Sequence, residues 1–437
     1  MLPPGPRVPP IVNALRYTRD PLRFFPRLRE RHGDMFTVSF PDFRKVVYLA
    51  EPSLVRELFT GDPAQLHAGE ANATILEPAV GPRSVLTLDD DEHMRQRKLL
   101  LPPFHGKAVE RYREIIREAA QRDLAGWPVG TPFGIRPRTQ SITLEVILRA
   151  VYGLSDPQRF ARAHRVIGEF ARRSDALLLP AFMRRGRRGP WGRFIRARNA
   201  LDQLVHEEIA LRRAEAGGEG RDDVLSLLMR AQHDDGSPLT DRELRDELVT
   251  VVGAGHETTA TALAWAVERL VRHPDAMARL REDEDGAYTD AVIRETLRSR
   301  PVIVDVARKL TAPLRVGGYD LPAGTLVLAS ITGLHAREDL YPDAAAFRPE
   351  RFIGEPGWAG TGYTWIPFGG GVRRCLGAAF AQEEMRIVLR EIATRADLRP
   401  TDPKPERPRM RNVTIAPEHE ARVVLERPLR AAGNPQR

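Results

Sequence analysis

Residues Phe368-Gly369-Gly370-Gly371-Val372-Arg373-Arg374-Cys375-Leu376-Gly377 constrain this chain more than any other segment. Cys375 is the only cysteine among 437 residues, which excludes an internal disulfide and a Cys-rich zinc site. It sits in a glycine-rich loop, after two arginines and before Leu376–Leu389, whose pattern reads as a helix. A lone cysteine is ordinarily a buried, inert thiol. Here the free amides and positive dipole end of the following helix, together with the arginines, favour a thiolate. The glycines let backbone approach a large flat ligand with no Cβ in the way.

Around this loop the pattern is mainly helical with small peripheral β-sheets, in one domain spanning residues 1–437. Residues 1–20 read as an extended Pro-rich arm and 21–32 as a helix. Residues 36–49 read as two short strands turning near Pro41-Asp42, and 52–59 as a helix. Residues 69–91 look loop-like, whereas helical periodicity dominates 92–232. Asp241–His273 reads as one long helix and Asp290–Ser299 as another. Strand-like segments follow to about residue 331, then a loop-rich meander over 339–367, the cysteine loop, and a terminal hairpin at 411–426.

Net charge is +8, and of 67 basic residues only five are lysines (45, 98, 107, 309, 404), leaving 62 arginines. They are scattered rather than gathered in a tail, which argues against a nucleic-acid arm and leaves a basic face for an acidic partner open. The N-terminus lacks an apolar signal-peptide core. No run approaches the roughly 20 apolar residues of a spanning helix. The expectation is a cytoplasmic protein that is soluble or, at most, peripheral.

The long helix contains Gly253-Ala254-Gly255-His256-Glu257-Thr258-Thr259. Two glycines weaken a helix by roughly 1 kcal/mol each, and the Thr258 hydroxyl can bond back to the Ala254 carbonyl. A bent helix centre leaves room for a small ligand, and an acid beside an alcohol suits proton transfer. A helix packed through small residues, with Thr258 a satisfied core hydroxyl, is the plainer reading of the same residues. Elsewhere Glu295 and Arg298 stand at i and i+3, a spacing that usually gives a solvated surface pair.

The complete F-x-x-G-x-R-x-C-x-G pattern resembles the haem-ligand loop of the cytochrome P-450 superfamily. Gly253–Thr259 is similar to that family's A/G-G-x-D/E-T-T/S element, and Glu295-x-x-Arg298 with Phe347-Arg348-Pro349-Glu350-Arg351-Phe352 to its E-x-x-R and P-E-R-F elements. The resemblance implies a cytochrome P-450-like fold with haem b between the long helix and the cysteine loop. It makes Cys375 the axial thiolate, Glu257 and Thr258 the proton-delivering pair, and Glu295, Arg298 and Arg351 a buried network behind the haem loop. His93, Arg97, Arg308 and Arg373 become the partners of the haem propionates, each with an ordinary surface cation as its alternative. One departure is the lone Pro301 where the family often shows two adjacent prolines.

The activity implied is monooxygenation: one atom of O2 enters a C–H bond of an apolar fatty acyl, terpene or steroid-like substrate. A hydrogen-peroxide-driven peroxygenase and a non-catalytic haem sensor remain the alternatives. The sequence shows no flavin or iron–sulfur segment, so electrons from NAD(P)H would arrive through a ferredoxin or flavodoxin and its reductase. Arg373, Arg374 and Arg386 offer a docking face, with solvated arginines the equal alternative. The candidate substrate pocket comprises Ile75, Leu76, Val85, Leu86, Ala254, Ile303, Val304 and Thr414, any of which can instead be plain core. The 177–194 segment mixes apolar residues with Arg184, Arg185, Arg187, Arg188 and Arg193. It reads as a membrane-surface contact, a substrate gate or, preferably, a solvated basic connector.

Overall fold

A single 30-residue helix, Asp241–Leu270, organises the computed structural model, which describes residues 2–43, 45–184, 186, 188–215, 220–354 and 362–429. Its start is fixed by a capping box: the Glu243 amide donates to Thr240 Oγ1 at 3.3 Å while the Thr240 amide donates to Glu243 Oε2 at 2.9 Å. It then runs about 45 Å at 1.5 Å per residue, packed against the helices Ile135–Ala150, Gly189–Ala214 and Ala378–Arg395. Most of its residues are buried, so its sequence shows no polar face, as expected for a helix enclosed by others.

The strands form a side layer. In chain order they are β1 Met35–Val38, β2 Val46–Leu49, β3 Leu66–His67, β4 Pro132–Gly134, β5 Asp305–Leu310 and β6 Leu314–Val316. They continue with β7 Tyr319–Leu321, β8 Leu326–Ser330, β9 Ala396–Pro400, β10 Pro408–Arg411, β11 Thr414–Pro417 and β12 Arg422–Pro428. The largest sheet has the order β1-β2-β8-β5-β3, with β2 and β8 parallel and the other neighbours antiparallel. It carries Arg308 at the β5 position opposite Val327.

Three expectations change. The arm is shorter than 1–20: Pro10 opens a helix, Pro10–Arg19, because proline is tolerated in a first turn. Only the residues before it are extended, with Thr37 Oγ1 donating to the Pro3 carbonyl at 2.8 Å. The 69–91 loop is largely a helix, Ala68–Val80, despite Gly69, Asn72 and Pro78. Its first amides, Gly69 and Glu70, each donate at 2.8 Å to the carboxylate of Asp89, a cap that local patterning does not reveal. The 411–426 hairpin is two structures: β10 and β11 form a hairpin turning at Asn412, while β12 joins β4 and β9 in a separate sheet.

Behind the cysteine loop, Glu295 is fully buried and accepts from Arg298 Nε and Nη2 at 2.7 Å each and from the Arg348 amide at 3.0 Å. Arg351 Nε lies 3.2 Å from Glu295 Oε2. Arg298 also donates to the carbonyls of His335 and Ala344 at 2.9 Å. The trio is therefore a buried network that pins the helix Ala287–Ser299 to the meander, not a surface pair. Glu295→Gln should cost about 3–5 kcal/mol, since it leaves buried guanidinium charge uncompensated. A urea midpoint unchanged from wild type would refute that.

His335 accepts the Ile366 amide at Nε2, 3.0 Å away, and burial pushes its imidazole down to about 3. The unfolded chain, with an ordinary value near 6.5, binds the proton first as acid is added. The contribution of neutral His335 is thus complete above pH 6.5 and falls by about 1.4 kcal/mol per pH unit as the pH drops towards the folded value. His335→Gln should remove that slope between pH 6.5 and 4.5 relative to wild type, read from urea unfolding at each pH.

Candidate active site

The long helix opens at its centre. Gly253 and Ala254 are exposed and Thr258 half-buried, although the flanking turns are buried. A Cβ on Gly253 would meet nothing within 4 Å, so open volume lies beside this turn. Thr258 Oγ1 donates to the Ala254 carbonyl at 2.5 Å, the back-bond expected from the sequence.

Glu257 turns towards the helix Ile135–Ala150. Its carboxylate pairs with Arg136 and accepts Gln140 Nε2 at 2.7 Å, and Arg136 Nη1 in turn donates to Glu420 Oε2 at 2.9 Å. Glu257 and Thr258 are thus adjacent but not bonded to each other. Arg136, Gln140 and Glu420 escape a sequence reading because an Arg-x-x-x-Gln spacing is commonplace and their common partner is distant in the chain. His256 is spent structurally: its Nδ1 lies 2.9 Å from Thr143 Oγ1, and burial pushes it down to about 4.

Positive groups converge from three separate parts of the chain. His93 is buried on the helix Asp90–Leu100, and burial pushes it down to about 3, helped by the charges of Arg373, Arg97 and Arg308. Arg308 on β5 is pushed down to about 10 by burial and by Arg373. Burial likewise brings Arg373 to about 10, with Asp89 opposing and Arg97 adding to the effect. Arg97 is lowered chiefly by burial, partly offset by Cys375. Arg373 pairs with Asp89 and donates to the carbonyls of Val85 and Leu88 at 3.2 and 2.6 Å. Three arginines around a neutral His93, opposed by Asp89 and more weakly by Asp90, form a setting for additional anionic groups. A cleft of about 400 Å³ reaches this cluster, lined among others by Phe59, His93, Arg308 and Arg373.

Cys375 faces open volume, yet protein encloses it enough that burial is the strongest influence on its thiol and raises it. The Gly377 amide, Arg374 and Arg97 pull the other way without prevailing. The expected bias towards thiolate is present but outweighed by burial, and the helix itself begins only at Ala378. A bound metal cation would deprotonate the sulfur outright. The glycines divide. A Cβ at Gly370 would come within 2.3 Å of the Phe59 ring, and one at Gly371 within 1.9 Å of the Phe59 carbonyl. These two serve packing on the helix Pro52–Thr60 rather than approach to a ligand, whereas Gly377 faces open space.

Of the expected pocket residues, Ile75, Leu76, Leu86 and Ile303 are half-buried and Ala254 is exposed. Val304 and Thr414 do not line open volume. Val304 packs in a core cluster with Trp265 and Ile415, and Thr414, 1% exposed, bonds the Arg411 carbonyl at 2.8 Å. Val85 is also buried, its amide donating to Glu247 Oε1 at 2.8 Å. Of the docking arginines, Arg374 is exposed, while Arg373 is turned inwards and Arg386 bonds Asp290 at 2.7 Å.

Together these elements bring three arginines onto His93, with Arg97 also acting on the one cysteine sulfur. Comparison with known proteins agrees. The family model for cytochrome P-450 matches residues 2–423, and the chain belongs to that family. It is 44% identical to a protein of Mycobacterium tuberculosis named cytochrome P-450 135B1, over 97% of this chain and 91% of the relative. Cytochrome P-450 138 of the same organism is 38% identical over 98% and 96%. Among solved structures, retinoic acid-bound cyanobacterial CYP120A1 superposes with a TM-score of 0.85 at 25% identity, covering 98% of this chain and 99% of that one. The family is one of haem monooxygenases with a cysteine thiolate ligand, and Cys375 is the sole cysteine available. The cation cluster fits two propionates, and the open turn at Gly253-Ala254 leaves space beside the long helix.

Gly371→Ala should destabilise the protein by more than about 1 kcal/mol, since φ is +63° and the Cβ meets backbone. Gly377→Ala, with nothing within 4 Å, should stay within about 0.5 kcal/mol of wild type. Thermal unfolding of the two variants side by side separates these outcomes.

Proposed function

We propose that residues 1–437 work as one haem-thiolate domain that inserts one atom of O2 into a C–H bond of an apolar substrate. The observation that carries this reading is the convergence of Arg97, Arg308 and Arg373 on His93, with Arg97 also acting on Cys375. Arg97, Arg308 and Arg373 would hold the two propionates, with neutral His93 donating a hydrogen bond, and Arg373 exchanging its Val85 and Leu88 carbonyls for carboxylate. Bound haem supplies the oxygen-activating redox chemistry, with thiolate donation favouring O–O cleavage.

The chain's own task is then proton supply. Glu257 would swing from Gln140 and Arg136 and pass a proton towards Thr258 Oγ1, which is anchored on the Ala254 carbonyl. The half-buried aliphatics Ile75, Leu76, Leu86 and Ile303, with Ala254, form an apolar lining suited to a fatty acyl, terpene or steroid-like molecule. A retinoic acid-bound relative of the same fold supports a long apolar ligand. In this reading the protein works in the cytoplasm. Electrons from NAD(P)H come through a separate ferredoxin or flavodoxin system docking near Arg374.

Titrating the ferric protein with fatty acids, sesquiterpenes and steroids should give a saturable low-to-high spin shift with one class. No shift with any of them would remove the apolar-substrate reading. Thr258→Ala should lower product per NAD(P)H consumed by about tenfold and release hydrogen peroxide instead, in line with a lost proton-transfer group. Unchanged coupling would exclude Thr258 from proton delivery. Arg97→Ala should lower the Soret-to-protein absorbance ratio after haem reconstitution, and an unaltered ratio would detach Arg97 from the propionates.

A further inference from the structure

Two sets of charged residues stay outside the site described above. In the 177–194 segment Arg184 is spent on the carbonyls of Leu177, Leu179 and Thr74 at 2.8 Å each, and Arg185 and Arg187 lie outside the described residues. Asp305, the first residue of β5, has no such use. It stands two residues after the lining residue Ile303 and three before Arg308. Strand register fixes which way it faces. Tyr48 on β2 pairs with Leu328 on β8, and Leu328 pairs with Ala307 on β5. Paired residues share a face and alternate residues return to it, so Asp305 joins Ala307, Leu328 and Tyr48. The neighbouring Val306 takes the opposite face, where its Cγ1 lies 3.8 Å from the place a Cβ would occupy on Gly369. β5 is therefore the wall between the acid and the cysteine loop.

Aromatic rings cover the face that carries Asp305. Tyr17 lies 5.8 Å from Phe24 and 5.9 Å from Phe40, and Phe25 lies 4.4 Å from Tyr48, ring centre to ring centre. Burial first and Asp305 second push the phenols of Tyr17 and Tyr48 up, so both hydroxyls stand in the field of its carboxylate. The acid keeps some open surface although protein surrounds it, and burial pushes it up to about 7, with the Tyr48 hydroxyl opposing. Among the described residues no cation pairs with it. Lys309, four residues on and on the same face, is held by Glu70, and Arg44 lies outside the described residues. The contrast with Glu295 is direct: that acid is saturated by guanidinium and amide donors, whereas Asp305 has rings around it and no counter-charge. An ammonium group gains twice in such a place, by pairing with the acid and by attraction to the ring faces.

We infer that Asp305, with Tyr48 and the rings of Tyr17, Phe24 and Phe40, is a recognition point for a positively charged nitrogen, so that the substrate is an apolar molecule bearing an ammonium group. The bound cation keeps the carboxylate ionised, and the apolar remainder extends towards Ile303. What becomes of that molecule rests on the monooxygenase reading above; its capture by Asp305 is measured separately.

The test is equilibrium dialysis of the ferric holoprotein against three probes of one chain length: decyltrimethylammonium, decan-1-ol and decanoate. A quaternary nitrogen has no lone pair, so it cannot ligate the iron. Wild type should hold the ammonium about tenfold more tightly than either of the others, the scale of a desolvated contact between a cation and aromatic rings. Asp305→Asn should erase that preference, and Asp305→Glu should restore part of it. Equal affinities in wild type would overturn the assignment, as would tighter binding of decanol or decanoate, or an Asn variant that keeps the preference. The wild-type ranking decides by itself if the Asn variant does not fold. Spin state is read in the same samples. Preference for the ammonium with no spin shift from any probe upholds Asp305 and counts against the pocket reading, whereas a decanol-induced shift without the preference does the reverse.

Discussion

The site depends on positive charge that this chain gathers and does not neutralise. Arg97, Arg308 and Arg373 arrive from a helix, a strand and a loop around a neutral His93, and their mutual repulsion is opposed by Asp89 and Asp90. A folded protein tolerates that arrangement only when the surrounding structure fixes each group and a ligand supplies the missing anions. Two haem propionates would do so. Arg97 also acts on Cys375, so one of the cations proposed for the carboxylates favours the thiolate as well.

The scaffold around the site is held by buried hydrogen bonding rather than by apolar packing alone. Glu295 binds Arg298 and lies beside Arg351, tying one helix to the meander that leads into the cysteine loop. Glu257 is tied to Arg136 and Gln140, and Val85 is suspended between Glu247 and Arg373. The segment bearing Val85 and Leu86 is therefore attached both to the long helix and to the cysteine loop. Any rearrangement of Arg373 would be felt directly at Val85 and Leu88, whose carbonyls it holds.

The sequence by itself determined the chemistry and its order along the chain. A single cysteine in a glycine-rich loop, an acid beside an alcohol in a long helix, and Glu295-x-x-Arg298 with Arg351 are short-range patterns whose meaning survives without coordinates. The long helix, the β1–β2 pair and the short helices near residues 21–32 and 52–59 were legible for the same reason: their periodicity and caps are local. Tertiary structure decided whatever depends on partners distant in sequence. The Ala68–Val80 helix exists because Asp89 caps it from twenty residues away, and Val304 and Thr414 belong to the core because β5 and the β10–β11 hairpin close on Trp265. Glu257 turns towards Arg136 because another helix carries that cation, and Gly370 and Gly371 are required by the Phe59 that packs on them. In each case local pattern supplies the group, but the energy that orients it comes from a contact that exists only once the chain has folded.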